Sequence, residues 1–485
     1  MRGILNKIKN EYLIETFFII ILGIILFYTL FMNPIVGKCD NGDFSRIYLQ
    51  SGLMDQAKNT SELYDGTVHR IYNINRLITI IPWAQDWSSG VLIAKAGAIL
   101  CSVFDLTESG KFNISIQTFI YCSMYLASVF MILNYKKMTK AAKIASGIFI
   151  AVFFTDVSYI SYFNSFFGEA AVIVFMFLLI GTTLNIISKE KPGTLDISAF
   201  FISSGGFILA KTQELPLLVF MYIIYGVLYF YYKDKRRLII IAVAIITFLS
   251  VLMFVSIDSE TNMNNMYQAV FRGILTDSKN PQADLEELGI DKNLAYLRDH
   301  PYFEKNNPVD VTGEYLKENF YSKISSVKVL KFYLVHPGRM WEKMNVSAEH
   351  AYDFYNIGIN NFEKGKYPNN KTVNLLRYKL IQKFKYLHRN IYIFIIFSVV
   401  YFAVCLWYLI KDKRKESKIL SLMCIFILAS GSSQCMLPII GSGHEDLGKH
   451  LFLLNLSYDV MIGITIVWIV YNMEKLYRYV KKNDK

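Results

Sequence analysis

Charge is scarce in this 485-residue sequence: 19% of residues are Asp, Glu, Lys or Arg, while 53% are hydrophobic and the mean hydropathy is +0.32. No GxxxxGKS/T or GxGxxG loop occurs, so the backbone cradle that nucleotide-hydrolysing motors use for phosphate is missing. Six cysteines are present, but none is spaced as a zinc-type or redox pair. Internal repeats, heptad arrays and low-complexity tracts are also missing, which excludes solenoids and coiled coils.

What the sequence does have is long apolar runs. Ten are expected to be helical spans: 13–33, 112–134, 144–163, 170–187, 196–210, 215–232, 238–256, 391–410, 418–440 and 451–472. A membrane helix needs about 17–25 such residues, so the chain is expected to be an all-α polytopic membrane protein with about ten transmembrane helices. The first run is too long for a signal-peptide core and lacks a small-residue cleavage site, so it is expected to remain as an anchor.

The net charge of +12 would suit nucleic acid if it were spread over one surface. Instead it alternates along the chain. Arg2, Lys7 and Lys9, then Lys136, Lys137, Lys140 and Lys143, then Lys189 and Lys191 occupy every second connection. The set continues with KDKRR at 233–237, KDKRKESK at 411–418 and the final KKNDK. The positive-inside rule makes these connections and both termini cytoplasmic, in a cell membrane crossed many times. The basic excess is topological, and nucleic acid is not an expected partner.

Five connections then lie outside: 34–111, 164–169, 211–214, 257–390 and 441–450. The chain divides into an N-terminal membrane module (1–256) with the first outer loop at 34–111, an outer domain of mostly helical character (257–390), and a C-terminal membrane module (391–485). Within the first loop, SGVLIAKAGAILCSVF at 89–104 is short for a span and contains Lys95, which predicts an interfacial or re-entrant helix. Trp83 and Trp87 suit a headgroup-level belt. Cys39 and Cys101 share this loop as candidates for a pair, although their spacing does not require one.

Polar groups gather at the outer ends of the spans, where ionisable residues are costly and tend to mark function. GKCDNGDFSR, at 37–46, supplies Asp40, Asp43 and Arg46; SYFNSFFGEAA supplies Asn164 and Glu169; KTQE supplies Lys211 and Glu214. GSGHEDLGKH packs His444, Glu445, Asp446, Lys449 and His450 into seven residues. Each has a plain structural alternative: Asp43 precedes FSRIYLQSGLM as a helix cap, Glu169 starts a helix favourably, Lys211 and Glu214 pair in a turn, and the last group is a solvated loop. Asp156 and Lys95 are the main charges away from this face.

Carboxylates and cations at a membrane surface suit glycosyl transfer from a lipid-phosphate sugar, with a carboxylate as base and cations or a divalent ion on the departing phosphate. The arrangement resembles the GT-C superfamily of polyprenyl-phosphate-dependent membrane glycosyltransferases. Its members carry a catalytic acid in the first outer loop, just after the first span, and often a second between spans three and four. By position the resemblance assigns catalysis to Asp43 or Asp40 with Glu169, and implies Asp43 and Glu169 as candidate ligands for Mg²⁺ or Mn²⁺, although DNGD departs from the DxD or adjacent-acid pattern of some members. Arg46, Lys211, Lys449 and His450 are then the candidates for donor phosphate, with Asn164, Glu214, His444, Glu445 and Asp446 for substrate. The implied reaction is inverting transfer of a monosaccharide from polyprenyl phosphate to a cell-envelope glycan or glycolipid, with membrane lipid, a donor-making transferase and a small flippase as partners. A lipid-linked glycan flippase or exporter, or an O-antigen-type polymerase or ligase, is the competing class; a transporter would need polar residues near the bilayer midplane.

Overall fold

The computed structural model describes residues 12–75, 87–353, 362–366, 379–380 and 383–483. Helix α1 (Leu13–Leu30) leads into a connection with three short strands, β1 (Leu53–Asp55), β2 (Ile71–Ile74) and β3 (Lys111–Asn113), and helix α2 (Ser89–Phe104). Then come α3 (Ile114–Leu133), α4 (Lys140–Phe149, prolonged by a π-helical turn to Phe154), α5 (Glu169–Ile187), α6 (Thr194–Ile208), α7 (Leu218–Tyr231) and α8 (Arg236–Val255). Helices α9 (Ser259–Ala269), α10 (Ser326–Val335) and α11 (Pro337–His350) belong to the long connection before α12 (Ile391–Lys411), α13 (Lys415–Ser433) and α14 (Phe452–Asn483).

All ten apolar runs contain a helix. Among the described residues eight helices are long and apolar enough to cross a membrane, or nine if a pair bent by 64°, Lys140–Phe154 with Val157–Asn164, is one span. The bend has a local cause. Asp156 Oδ1 accepts from the Ser158 backbone N–H (3.0 Å) and hydroxyl (2.7 Å), so it caps a new helix inside the apolar run. The remaining run, 196–210, is the shorter helix α6. Helix α5 is buried along most of its length, with α3 and α6 packed against it.

Helix α2 has 16 residues, which at about 1.5 Å per residue is about 24 Å, short of a full hydrocarbon layer. Its start is held to the end of α6: Ser89 N–H donates to Leu209 O (2.7 Å) and Ser89 Oγ to Gly206 O (2.8 Å). The headgroup belt expected of Trp87 is replaced by burial against Leu209 and Met253, because the anchored start of α2 draws it inward; Trp83 lies outside the described residues. Cys39 and Cys101 remain separate buried thiols, and the Cys101 thiol is engaged by Asn113 and Thr107 instead.

The strands form one antiparallel sheet in the order β1-β2-β3, the local exception to a helical chain. Tyr72 opposes Phe112, and both are buried. Phe166, from the turn before α5, sits edge-on to Tyr72 at 4.8 Å. The first connection is thereby keyed to the second turn on the same face.

Contacts define two faces. Lys137 pairs with Glu416 (3.8 Å), Lys415 donates to Glu190 O (2.7 Å), and Lys415 lies 5.4 Å from the Tyr232 ring, so four basic connections share one face. Residues 37–46, 164–169, 211–214 and 441–450 meet at the opposite helix ends. Residues 362–366 are tied to that same face: Val68 N–H donates to Phe362 O (2.9 Å), Arg70 pairs with Glu363 (3.2 Å) and Lys364 with Asp65 (3.1 Å).

Candidate functional site

The stretch 37–46 is organised by Asp40. Its carboxylate accepts the backbone N–H groups of Gly42 (2.7 Å) and Phe44 (3.2 Å), and burial pushes its pKa up against the pull of those two donors. A short helix, Ser45–Tyr48, follows with no side-chain cap. Asp43 therefore does not cap this helix. Asp43 instead faces Arg46 (3.3 Å) and Lys449.

Lys449 and His450 come from the last short turn before α14. The Lys449 ammonium lies 4.9 Å from the centre of the Phe167 ring, and burial pushes its pKa down to about 7, with the charge of Asp40 opposing. Burial, together with the positive charges of Lys211, Lys449 and Arg46, holds His450 well below the usual imidazole range. Arg46 and Lys449, from two connections, meet on Asp43.

Glu169 begins α5 and pairs with Lys211 at 2.7 Å. The lysine stem runs over Gly168, where a Cβ would stand 2.9 Å from Lys211 Cγ and 3.1 Å from Ala210 O, so only glycine admits this approach. Glu214 is buried and accepts from Gln434 (3.5 Å). Gln434 also meets Gln213, whose Nε2 donates to His450 O (2.9 Å). The third connection is thus tied to the backbone that carries Lys449 and His450.

Two parts of the site escaped the sequence reading. Lys38 lies 4.9 Å from the centre of the Tyr162 ring; burial pushes its pKa down to about 8, against the charges of Cys39 and Glu169. Among the described residues it forms no ion pair. The second part is an aromatic face: Phe44 to Phe167 (4.7 Å), Phe167 to Tyr162 (5.8 Å) and Tyr162 to Phe452 (5.0 Å). The available signals were a lysine two residues before Asp40 and the aromatic density of SYFNSFF.

Other candidates face elsewhere. Asn164 is fully buried; its amide donates to Leu30 O (2.9 Å) and Val36 O (2.8 Å), and its oxygen accepts from Thr118 Oγ1 (2.5 Å). Both of its donors are spent pinning the exit of α1, which corrects its assignment to substrate. His444 meets the buried Lys343 at 3.0 Å, and Lys343 pairs with Asp277. Burial and the Lys343 charge push His444 down to about 4, so a neutral imidazole accepts from the ammonium at neutral pH. Glu445 pairs with Arg272 (3.0 Å). These two tie the turn to the helical segment 268–343 rather than to Lys449, while Asp446 is exposed with φ 45°.

The donor set does not fit Mg²⁺ or Mn²⁺, which bind through several hard oxygen ligands. Asp43 and Glu169 each already hold a lysine. Among the described residues no group of three or more His, Cys, Asp or Glu is placed to hold a metal ion.

A family model described as the YfdI N-terminal transmembrane domain matches residues 4–485. The uncharacterized protein YfdI of Escherichia coli (strain K12) is 23% identical over 367 residues, covering 72% of this chain and 74% of that protein. Among solved structures, the archaeal oligosaccharyltransferase AglB from Archaeoglobus fulgidus, in complex with an inhibitory peptide and a dolichol-phosphate, matches with a TM-score of 0.40 at 11% identity, over 97% of this chain and 52% of that one. The Archaeoglobus fulgidus oligosaccharyltransferase tethered to an acceptor peptide gives 0.39 at 11% identity, over 96% and 50%. The chain spans about half the length of these oligosaccharyltransferases.

Proposed function

The chain belongs to the family of the YfdI N-terminal transmembrane domain, and we propose that it is a GT-C-like inverting glycosyltransferase. It moves a monosaccharide from a polyprenyl-phosphate donor to a cell-envelope glycan or glycolipid, at the outer face of the cytoplasmic membrane. The observation that carries this is the meeting of Arg46 and Lys449 on Asp43, beside a third connection that pairs Lys211 with Glu169 and reaches the His450 backbone through Gln213. Such a cluster at the end of a membrane-spanning bundle suits a phosphate whose chain stays in the bilayer.

The steps follow from the pairs. Donor phosphate competes with Asp43 for Lys449 and Arg46, which takes the cations off the carboxylate. Asp43 is then free to accept the proton of the acceptor hydroxyl as that oxygen attacks the anomeric carbon. The bond from that carbon to the phosphate oxygen breaks, and the lipid phosphate leaves with the electron pair. Lys449, Arg46 and Lys211 stabilise its charge as it develops. Attack opposite the leaving group inverts the configuration. Lys38 and the Tyr162–Phe167 face flank this point, and aromatic rings offer a surface on which a sugar packs. Glu169, held by Lys211, keeps that lysine aimed at the phosphate.

The test is binding of polyprenyl phosphate to purified protein in lipid nanodiscs. Lys449→Gln and Arg46→Gln are each expected to weaken binding by about tenfold or more, the equivalent of about 1.4 kcal/mol. Lys211→Gln is expected to do the same. Unchanged binding in all three would place the phosphate elsewhere and sink the proposal.

A further inference from the structure

Between the site and the lysine-rich face runs a cleft of about 420 Å³. Its walls come from six helices, with Ser146, Phe177, Val404, Cys424 and Gly463 facing it. Along α14 it extends from Val460 to Tyr471, eleven residues or about 16 Å of rise. One end stops at Phe154. That ring touches Phe177 (4.9 Å) and Tyr159 (5.6 Å), and Tyr159 touches Phe452 (5.8 Å) beneath the aromatic face of the site. The other end is polar, with Lys137, Arg414, Glu416 and Ser417.

The shape and chemistry match a single lipid chain with its headgroup at the rim. Interiors at this depth are close-packed, and an apolar slot in a bilayer holds hydrocarbon rather than water. The rim is flanked by KKMTKAAK at 136–143 and KDKRKESK at 411–418, which carry nine Lys or Arg against two acids. The side chains of Arg414 and Lys137 are 67% and 45% exposed, within reach of a headgroup. Basic pockets between transmembrane helices on the cytoplasmic side are a recurring way to hold anionic headgroups. The transferase donor is not the occupant, because its phosphate is drawn to Lys449 and Arg46 at the opposite helix ends. We propose that this cleft is a binding site for an anionic glycerophospholipid, one acyl chain in the slot and the phosphate at Lys137 and Arg414. The cleft uses none of the transferase site residues, while the exclusion of the donor as its occupant rests on the transferase reading.

Native mass spectrometry of the full chain, released from mild detergent after adding phosphatidylglycerol or phosphatidylcholine with the same chains, tests it. Wild type is expected to retain phosphatidylglycerol about tenfold more than phosphatidylcholine. The double variant Lys137→Gln, Arg414→Gln is expected to lose that preference, and Val404→Trp to lose retention of both lipids. Should Val404→Trp fail to fold, the double variant, whose two residues are surface-exposed, still decides the matter. Equal retention of the two lipids by wild type, an unchanged preference in the double variant, or an isoprenoid phosphate as the co-purified ligand would each overturn the proposal.

Discussion

Asp40 and Asp43 lie three residues apart, yet their surroundings divide their work. Asp40 accepts two backbone N–H groups, so Asp40→Ala is expected to loosen residues 37–46 and cost about 2 kcal/mol, the scale of a hydrogen bond to a charged group. The Asp43 carboxylate accepts no backbone N–H among the described residues and holds two cations. Asp43→Asn is therefore expected to leave the thermal midpoint within a degree or two. Turnover should fall by about 10²–10⁴-fold, the usual contribution of a general base, while donor binding survives. Sugar transfer at close to the wild-type rate would shift the base to Glu169.

Lys449 gives the same site a pH dependence. Its ordinary pKa of 10.5 falls to about 7 by burial, so the unfolded chain holds this proton over a range in which the folded chain has released it. By linkage, this group makes stability rise with pH from about 7 to 10.5. Donor binding runs the other way, because phosphate needs the ammonium. Affinity for polyprenyl phosphate is expected to fall by up to about tenfold per pH unit above 7. Lys449→Arg, charged throughout, should flatten that profile while keeping binding. An unchanged slope in Lys449→Arg would remove Lys449 from the phosphate site.

At the scale of elements, the turn 441–450 joins two regions. Gly443 has φ +62°, and a Cβ there would meet Gln268 O at 2.3 Å and the Arg272–Gly273 backbone at 2.9 Å. His444 and Glu445 then turn to Lys343 and Arg272, and Lys449 and His450 turn to the membrane site. Gly443→Ala combines left-handed strain with a backbone clash, each worth about 1–3 kcal/mol. It is expected to lower the thermal midpoint and weaken donor binding together, because Lys449 would move. Gly441, whose Cβ would meet nothing within 4 Å, is the control. Gly441→Ala should leave both properties near wild type.

For the whole molecule, orientation is the quantity to measure. The six native cysteines are buried, so labelling by an impermeant maleimide on intact cells reports introduced thiols. Asn41→Cys, His300→Cys and Asp446→Cys are expected to label, and Arg414→Cys to stay protected. Labelling at 414 with protection at 300 would invert the chain and end the proposal of an outer active site.

Much of this architecture is a local property of the sequence. Apolar runs of span length, the alternation of lysine-rich connections and the polar groups at the other helix ends are each legible within about 20 residues, because burial in hydrocarbon and the membrane charge rule act on short segments. That is why all ten runs contain helices and why four predicted phosphate ligands, Arg46, Lys211, Lys449 and His450, come from connections on one face. Tertiary structure decided which side chain met which. It spent Asn164 on the backbone of residues 30 and 36, left the helix after Asp43 without a side-chain cap, gave the turn before it to Asp40, and put Lys38 over Tyr162. It also sent the two halves of HEDLGKH to different neighbours through the positive φ of Gly443, which packs against a helix about 170 residues earlier in the chain. Those outcomes depend on contacts between residues far apart in sequence, and no local pattern of hydropathy or charge encodes them.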